Sequence, residues 1–269
     1  CVADGHGSVS HTPTVYLGGY ESAMVATRTA IDNMNMTPEK RFDRVQKALH
    51  DHSSLFRSDR STTELAGDYF VVKKKSSPRM PPLYSMHGCT LSCLSVSGSR
   101  FQCSWVGDSS VLLYRGSRAS WVTRNHDVTD SEEVKRVTSN GGSRYGKSYV
   151  TFKLPNKEEY MVQMTRSIGH FGNDAISHTP SVVDGAVEAG DVFVVATDGL
   201  WKYVSLSEVE AIVADSESVD DICASLVNRA IKKRPINRDN ACVVVVRVPN
   251  RRSSGWLLNL RNALTKHFL

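Results

Sequence analysis

No apolar run in the 269 residues approaches the roughly 18 needed for a helical membrane span, so no transmembrane segment is predicted. The opening Cys1-Val2-Ala3-Asp4-Gly5 lacks both the basic start and the apolar core of a secretion signal. Cysteine occurs six times, at Cys1, Cys89, Cys93, Cys103, Cys223 and Cys242, with no C-x-x-C pair and no repeated spacing. That usage predicts reduced thiols and an intracellular protein, cytoplasmic or nuclear. Charge of one sign is also scarce: 33 Lys plus Arg against 28 Asp plus Glu leaves +5, short of a dedicated nucleic-acid binder, and no nucleic-acid partner is expected. What is there is a globular composition, 40% hydrophobic and 23% charged, which excludes a wholly disordered, collagen-like or coiled-coil chain.

Along the chain, the spacing predicts helices over Tyr20 to Asn33 and Pro38 to Phe56. The second has Thr37 as N-cap, Pro38 in its first turn and Phe42, Val45, Leu49 and Phe56 along one face. Residues Ser58 to Pro82 carry Lys73 to Lys75 and three prolines, which reads as a mobile surface loop. From Gly88 the pattern alternates, and Thr90 to Val96, Phe101 to Val106, Val111 to Tyr114 and Ala119 to Thr123 read as antiparallel strands. A helix follows, capped by Asp130 with Glu133 three residues on and closed by Gly141-Gly142. Tyr149 to Lys153 and Glu159 to Met164 read as a hairpin, and Asp191 to Thr197 as an apolar strand. Ser205 and Ser218 then open helices, and Val243 to Val246 reads as a central strand buried on both faces. Strands and helices are grouped rather than strictly alternating, which predicts α+β. Cys1 to Ala3 reads as the end of a strand whose first half is absent.

Three aspartates stand at the ends of predicted buried strands: Asp4, Asp198 after Val194-Val195-Ala196-Thr197, and Asp239 before Asn240 and a valine run. An aspartate before Gly or Asn is ordinarily a turn residue. Three together, with a fourth in Val106-Gly107-Asp108-Ser109, suit a hard divalent cation that takes oxygen ligands. His6 lies two residues beyond Asp4 between glycines, where an imidazole can serve as a proton donor.

The motifs Val2-Ala3-Asp4-Gly5-His6-Gly7, Gly88-Cys89-Thr90, Val106-Gly107-Asp108-Ser109, Thr165-Arg166-Ser167-Ile168-Gly169, Ala196-Thr197-Asp198-Gly199-Leu200-Trp201 and Asp239-Asn240 follow one another in order. Together they resemble the motif series of the PPM (type 2C) metal-dependent Ser/Thr phosphatases. The resemblance implies an antiparallel β-sandwich flanked by helices on both sides, over residues 1–248, incomplete at its N-terminal strand. It implies two Mg²⁺ or Mn²⁺ ions, with Asp4 bridging, the Gly5 carbonyl on one ion and Asp198 and Asp239 on the other. His6 would be the general acid, with a pKa near the working pH, and phosphorylated proteins the substrates of a single-copy enzyme.

Three departures stand beside it. The family's phosphate-binding arginine and an acidic pair lie upstream of Asp-Gly-His-Gly, and this chain starts three residues before Asp4. Lys202 replaces the aspartate after Leu-Trp, which puts in doubt a third ion on Asp108. The expectation is that the ammonium reaches over Asp198 or toward Asp108 and leaves the two-metal set intact. His170 replaces an aspartate in what reads as a structural position. The competing expectation is a pseudophosphatase, the same fold kept as a binding module. Residues 249–269 form a basic linker and an amphipathic segment, Trp256 to Leu269, that suits packing on its own domain or lying on a membrane surface or partner.

Overall fold

The alternating segments fold as the pattern demands. The structure, a computed structural model, describes residues 1–7, 18–57, 61–77, 79, 81, 83–233 and 239–249. The elements begin with β1 (Gly5–His6), α1 (Gly19–Asp32), α2 (Pro38–Leu55), β2 (Ser61–Ala66), β3 (Tyr69–Lys74) and β4 (Leu83–Tyr84). Next come β5 (Gly88–Cys89), β6 (Leu91–Ser97), β7 (Arg100–Val106), β8 (Ser110–Arg115), β9 (Arg118–Trp121), α3 (Ser131–Ser139), β10 (Ser143–Tyr145), β11 (Tyr149–Lys153) and β12 (Glu159–Val162). The series ends with β13 (Ile168–Gly169), β14 (Ser181–Ala186), β15 (Val192–Ala196), α4 (Asp198–Trp201), α5 (Leu206–Asp215), α6 (Val219–Lys233) and β16 (Val243–Arg247).

Two antiparallel sheets, β14-β7-β6 and β16-β15-β8-β9, face each other, and the period-2 alternation assigns each residue to a layer. On β15, Phe193 and Val195 join Phe101, Cys103, Val111 and Leu113 between the sheets. Val192, Val194 and Ala196 point the other way, onto Ile222, Leu226 and Val209 of α6 and α5. Leu91, Cys93 and Val106 on the outer face of the first sheet pack against Ala26, Ala30, Phe42, Val45 and Leu49 of α1 and α2. The result is helix, sheet, sheet, helix, the predicted architecture. Each fully buried Val, Leu or Phe here contributes about 1.5–3 kcal/mol relative to exposure, so the three apolar layers dominate the stabilisation. Arg41 is the exception inside the first layer. At 2% exposure it is held by the carbonyls of Asn33, Met34 and Met36 and by Ser104 Oγ. Those carbonyls lie at and just beyond the C-terminus of α1, where the helix dipole favours a cation.

Three expectations need correction. The 58–82 segment is not a loop throughout: Ser61–Ala66 and Tyr69–Lys74 form the hairpin β2-β3, with Thr63 opposite Val72 across a Gly67-Asp68 turn, and β4 pairs with β3 just beyond the segment. Thr62, Thr63, Phe70, Val71 and Val72 favour strands, Gly67 adopts φ +64 as the turn requires, and the lysines point along an exposed strand end. Secondly, β16 is the edge and β15 the centre of its sheet among the described residues, although Val243, Val244 and Val245 are buried all the same. Thirdly, Glu133 does not complete a capping box. Asp130 accepts from the Glu132 amide, and Glu133 turns inward. The capping boxes at Ser205 with Glu208 and the Ser218–Asp221 pair are as expected. Val2 makes a two-bond bridge to Ser92, which extends the first sheet. The tail segment Trp256 to Leu269 lies outside the described residues. No described helix is long and apolar enough to cross a membrane.

Candidate active site

Three of the sequence motifs meet in one small sheet, β1-β5-β13, where Gly5 pairs with Cys89, His6 with Gly88, and Gly88 with Gly169. Asp4 at the entry to that sheet is fixed through its backbone. Its N–H donates to Thr90 Oγ1 at 3.0 Å, and its carbonyl accepts from the Thr90 N–H at 2.9 Å. Thr90 Oγ1 is in turn 2.6 Å from Ser109 Oγ, so the Gly88-Cys89-Thr90 and Val106-Gly107-Asp108-Ser109 motifs together hold Asp4. Sequence reasoning singled out those motifs without assigning Thr90 or Ser109 this work.

The second half of the site comes from the ends of β15 and β16. Asp198 opens α4 and Asp239 precedes Asn240. A Cβ on Gly199 would lie 2.0 Å from the Asn240 carbonyl oxygen, so glycine is what lets the two chains touch. The Cys242 N–H donates to Thr197 Oγ1 at 3.0 Å and fastens the same approach. Trp201 Nε1 donates to the Ala196 and Ser110 carbonyls, at 2.9 and 3.2 Å, and anchors α4 on the sheet.

Asp4, Asp198 and Asp239 each offer an oxygen, and the three lie within 4.8 Å of one another. They line a cleft of about 140 Å³ with Gly5, His6, Thr90, Asp108 and Lys202. Burial, then the charge of Asp198, holds the Asp4 carboxyl well above the usual carboxylate range. Burial and Asp198 likewise push Asp108 up to about 6. Asp198 Oδ1 is buried without a hydrogen-bond partner. Carboxylates that repel one another, with an orphaned buried oxygen among them, fit a divalent cation; all are hard oxygen donors. Asp108 stands in the wall of the cleft, outside the three-carboxylate group.

Lys202 reaches over Asp198, one of the two placements expected of it, and takes Asp239 as a second partner that was not expected. Its Nζ lies 2.5 Å from Asp198 Oδ2 and 2.8 Å from Asp239 Oδ2, across two members of the group itself rather than toward Asp108. The reason is local: Lys202 follows Asp198 by four residues across the single turn of α4, which folds its stem back over that carboxylate. Burial pulls the ammonium pKa down, but the hydrogen bonds to Asp198 and Asp239 outweigh it and the net shift is upward.

His6 also differs from expectation. Burial lowers its pKa to about 4, so the ring is neutral near pH 7 rather than poised there. His170, expected to be structural, stacks on it, with the two Nε2 atoms 2.8 Å apart. His170 adopts φ +51 at the end of the Arg-Ser-Ile-Gly segment, and Gly88 leaves room for its ring. That segment is pinned by Glu133, which accepts from Arg166 Nε at 2.9 Å, Thr165 Oγ1 at 2.7 Å and Arg136 Nη2 at 3.1 Å. Burial raises the Glu133 pKa, but Arg166, Thr165 and Arg136 overcome it and hold the carboxyl below its usual range.

A family model, Protein phosphatase 2C, matches residues 27–239. The chain belongs to the protein phosphatase 2C family. "Probable protein phosphatase 2C 69" of Arabidopsis thaliana is 28% identical over 173 residues, covering 62% of this chain and 46% of the relative. "Protein phosphatase 2C homolog 1" of Schizosaccharomyces pombe is 27% identical over 143 residues, 52% of this chain and 38% of the relative. The chain thus spans less than half the length of these curated relatives. Among solved structures, the S. agalactiae serine/threonine phosphatase superposes with a TM-score of 0.53 at 17% identity, over 92% of this chain and 86% of that one. The catalytic domain of the serine/threonine phosphatase PstP, in complex with two manganese ions, gives 0.53 at 16% identity, over 91% and 86%. A C. elegans sex determining protein gives 0.60 at 20% identity, over 90% of this chain and 54% of that one. These structures share the fold with this chain.

Proposed function

We propose that the protein hydrolyses phosphoserine and phosphothreonine in proteins, with Asp4, the Gly5 carbonyl, Asp198 and Asp239 holding Mg²⁺ or Mn²⁺. The observation that carries this reading is the convergence of Asp4, Asp198 and Asp239, from three distant parts of the sequence, within 4.8 Å. Bound divalent ions supply Lewis acidity there, making water nucleophilic and neutralising phosphoryl charge. The chain's own residues do the rest. Thr90 and Ser109 keep Asp4 in place, and Gly199 keeps Asp239 beside Asp198. His6 is the proton donor to the departing Ser or Thr oxygen. In its imidazolium form it would give up an N–H proton and be left as the neutral ring that burial favours, with His170 Nε2 2.8 Å from its own Nε2.

A groove of about 880 Å³ shares Asp108, Gln163, Asp198 and Lys202 with the cleft. It continues along Trp121, Arg124 and Lys147 and suits a phosphorylated segment with acidic or apolar neighbours. Six cysteines without a C-x-x-C pair suit a reducing, intracellular setting. The competing reading, a pseudophosphatase used as a binding module, is favoured by one observation, the Lys202 ammonium on Asp198 and Asp239. Assay of the full chain on matched phosphothreonine and phosphotyrosine peptides separates the two. The phosphatase reading expects phosphate release from the phosphothreonine peptide, abolished in Asp198→Asn; no release from either peptide supports the binding module.

A further inference from the structure

The three carboxylates of the cleft present two kinds of oxygen. Asp198 Oδ2 and Asp239 Oδ2 are already held by the Lys202 ammonium, at 2.5 and 2.8 Å. Asp198 Oδ1 is buried and bonded to nothing. A cation that takes Asp198 through Oδ1 leaves both lysine contacts in place. A cation that draws on Asp198 Oδ2 and Asp239 Oδ2 together must expel it.

We propose that Lys202 is a resident cation of this cluster, so that the protein holds one divalent ion tightly and a second only in competition with the ammonium. This rests on the metal-dependent reading of the site and adds to it an internal competitor. Opposite charge holds the lysine at the carboxylates, and like charge raises the cost of a second ion next to it. The Lys202 side chain is 45% exposed, so a path into water is open when it is displaced. The lysine also has a role without metal, because it offsets the mutual repulsion of Asp198 and Asp239. Metal-free protein is therefore stabilised by the same contact that weakens the second site.

The test is Mn²⁺ binding by calorimetry and equilibrium dialysis on the full chain at pH 7.5, comparing wild type with Lys202→Met and Lys202→Gln. Wild type should bind one ion tightly, and both variants should bind a second ion on the order of tenfold or more tightly than wild type does. In EDTA both variants should melt below wild type, and Mn²⁺ should raise their melting temperatures by more than it raises the wild type's. Equal stoichiometry and affinity in all three proteins, or no Mn²⁺ binding in any of them, overturns the proposal. Phosphopeptide hydrolysis measured alongside keeps the two readings apart. A wild type that binds one ion and releases no phosphate refutes the phosphatase reading and leaves this one standing. A wild type that hydrolyses and binds two ions as tightly as Lys202→Met does the reverse.

Discussion

Substituting Glu133 by glutamine tests whether one carboxylate joins the helix α3 lobe to the Arg166 segment beside the cleft. Glu133 is 5% exposed and accepts from Arg166, Arg136 and Thr165. Glutamine keeps the shape but removes the charge and turns one oxygen into a donor facing an arginine. Two charge-assisted bonds are lost or reversed, and a guanidinium is left short of its counter-charge. Removing one partner of a buried pair costs about 3–5 kcal/mol, and retained hydrogen bonding to Thr165 places the expectation near the lower end, about 3 kcal/mol. For a domain of this size that is a drop of roughly 6–12 °C in melting temperature. The pH dependence has a definite sign. Because the folded-state pKa of Glu133 is depressed, its contribution is complete above the ordinary value of 4.5 and is lost as pH falls through the lowered one. Urea denaturation at pH 7 should therefore show the full deficit, and the gap to wild type should narrow below pH 4.5. Asp184→Asn, which breaks the exposed Arg100–Asp184 pair, serves as control and should cost well under ~1 kcal/mol. A Glu133→Gln protein within that control's range would refute the reasoning.

Two further predictions concern backbone approach and buried imidazoles. Gly199→Ala puts a Cβ against the Asn240 carbonyl and should cost about 1–3 kcal/mol while weakening Mn²⁺ binding through displaced Asp239; unchanged melting temperature and Mn²⁺ affinity would count against that packing. His87, fully buried between Ser53 and Ser85, has its pKa pushed by burial from 6.5 to about 3, so its folded form binds fewer protons and wild type loses stability as pH falls below 6.5. His87→Gln, destabilised at pH 7, should regain up to about 1.4 kcal/mol per pH unit relative to wild type between pH 6.5 and 4.5, and a constant deficit over that range would contradict the assignment.

The layers were legible because β15 is a continuous apolar run, as a strand buried on both faces requires, and α2 repeats every three to four residues, as a helix with one buried face does. The β2–β4 sheet was not, because Lys73 to Lys75 and the prolines drew attention away from the Thr-Thr and Phe-Val-Val strands around Gly67. Edge and centre were confused at β16 because a valine run reports burial and not strand order. Within the site, motif order singled out Asp4, Asp198 and Asp239, whose carboxylates the fold brings within 4.8 Å of one another. The partners of those residues stayed hidden. Thr90 with Ser109, Glu133 with Arg166 and His6 with His170 are separated by 19, 33 and 164 residues, and no local spacing connects them. Lys202 was visible as a departure, and the i,i+4 relation to Asp198 was in the sequence. Its second contact, to Asp239, depends on Gly199 admitting the Asn240 backbone, which only the folded chain reveals.

The most direct test of the central claim is phosphate release from a phosphothreonine peptide by the full chain, followed as Mn²⁺ is added to metal-stripped protein and then removed with EDTA. A carboxylate cluster that works by holding divalent ions predicts no release without Mn²⁺, release that saturates with it, and loss on chelation. Release that proceeds undiminished in EDTA would contradict the assignment of Asp4, Asp198 and Asp239 as a metal site.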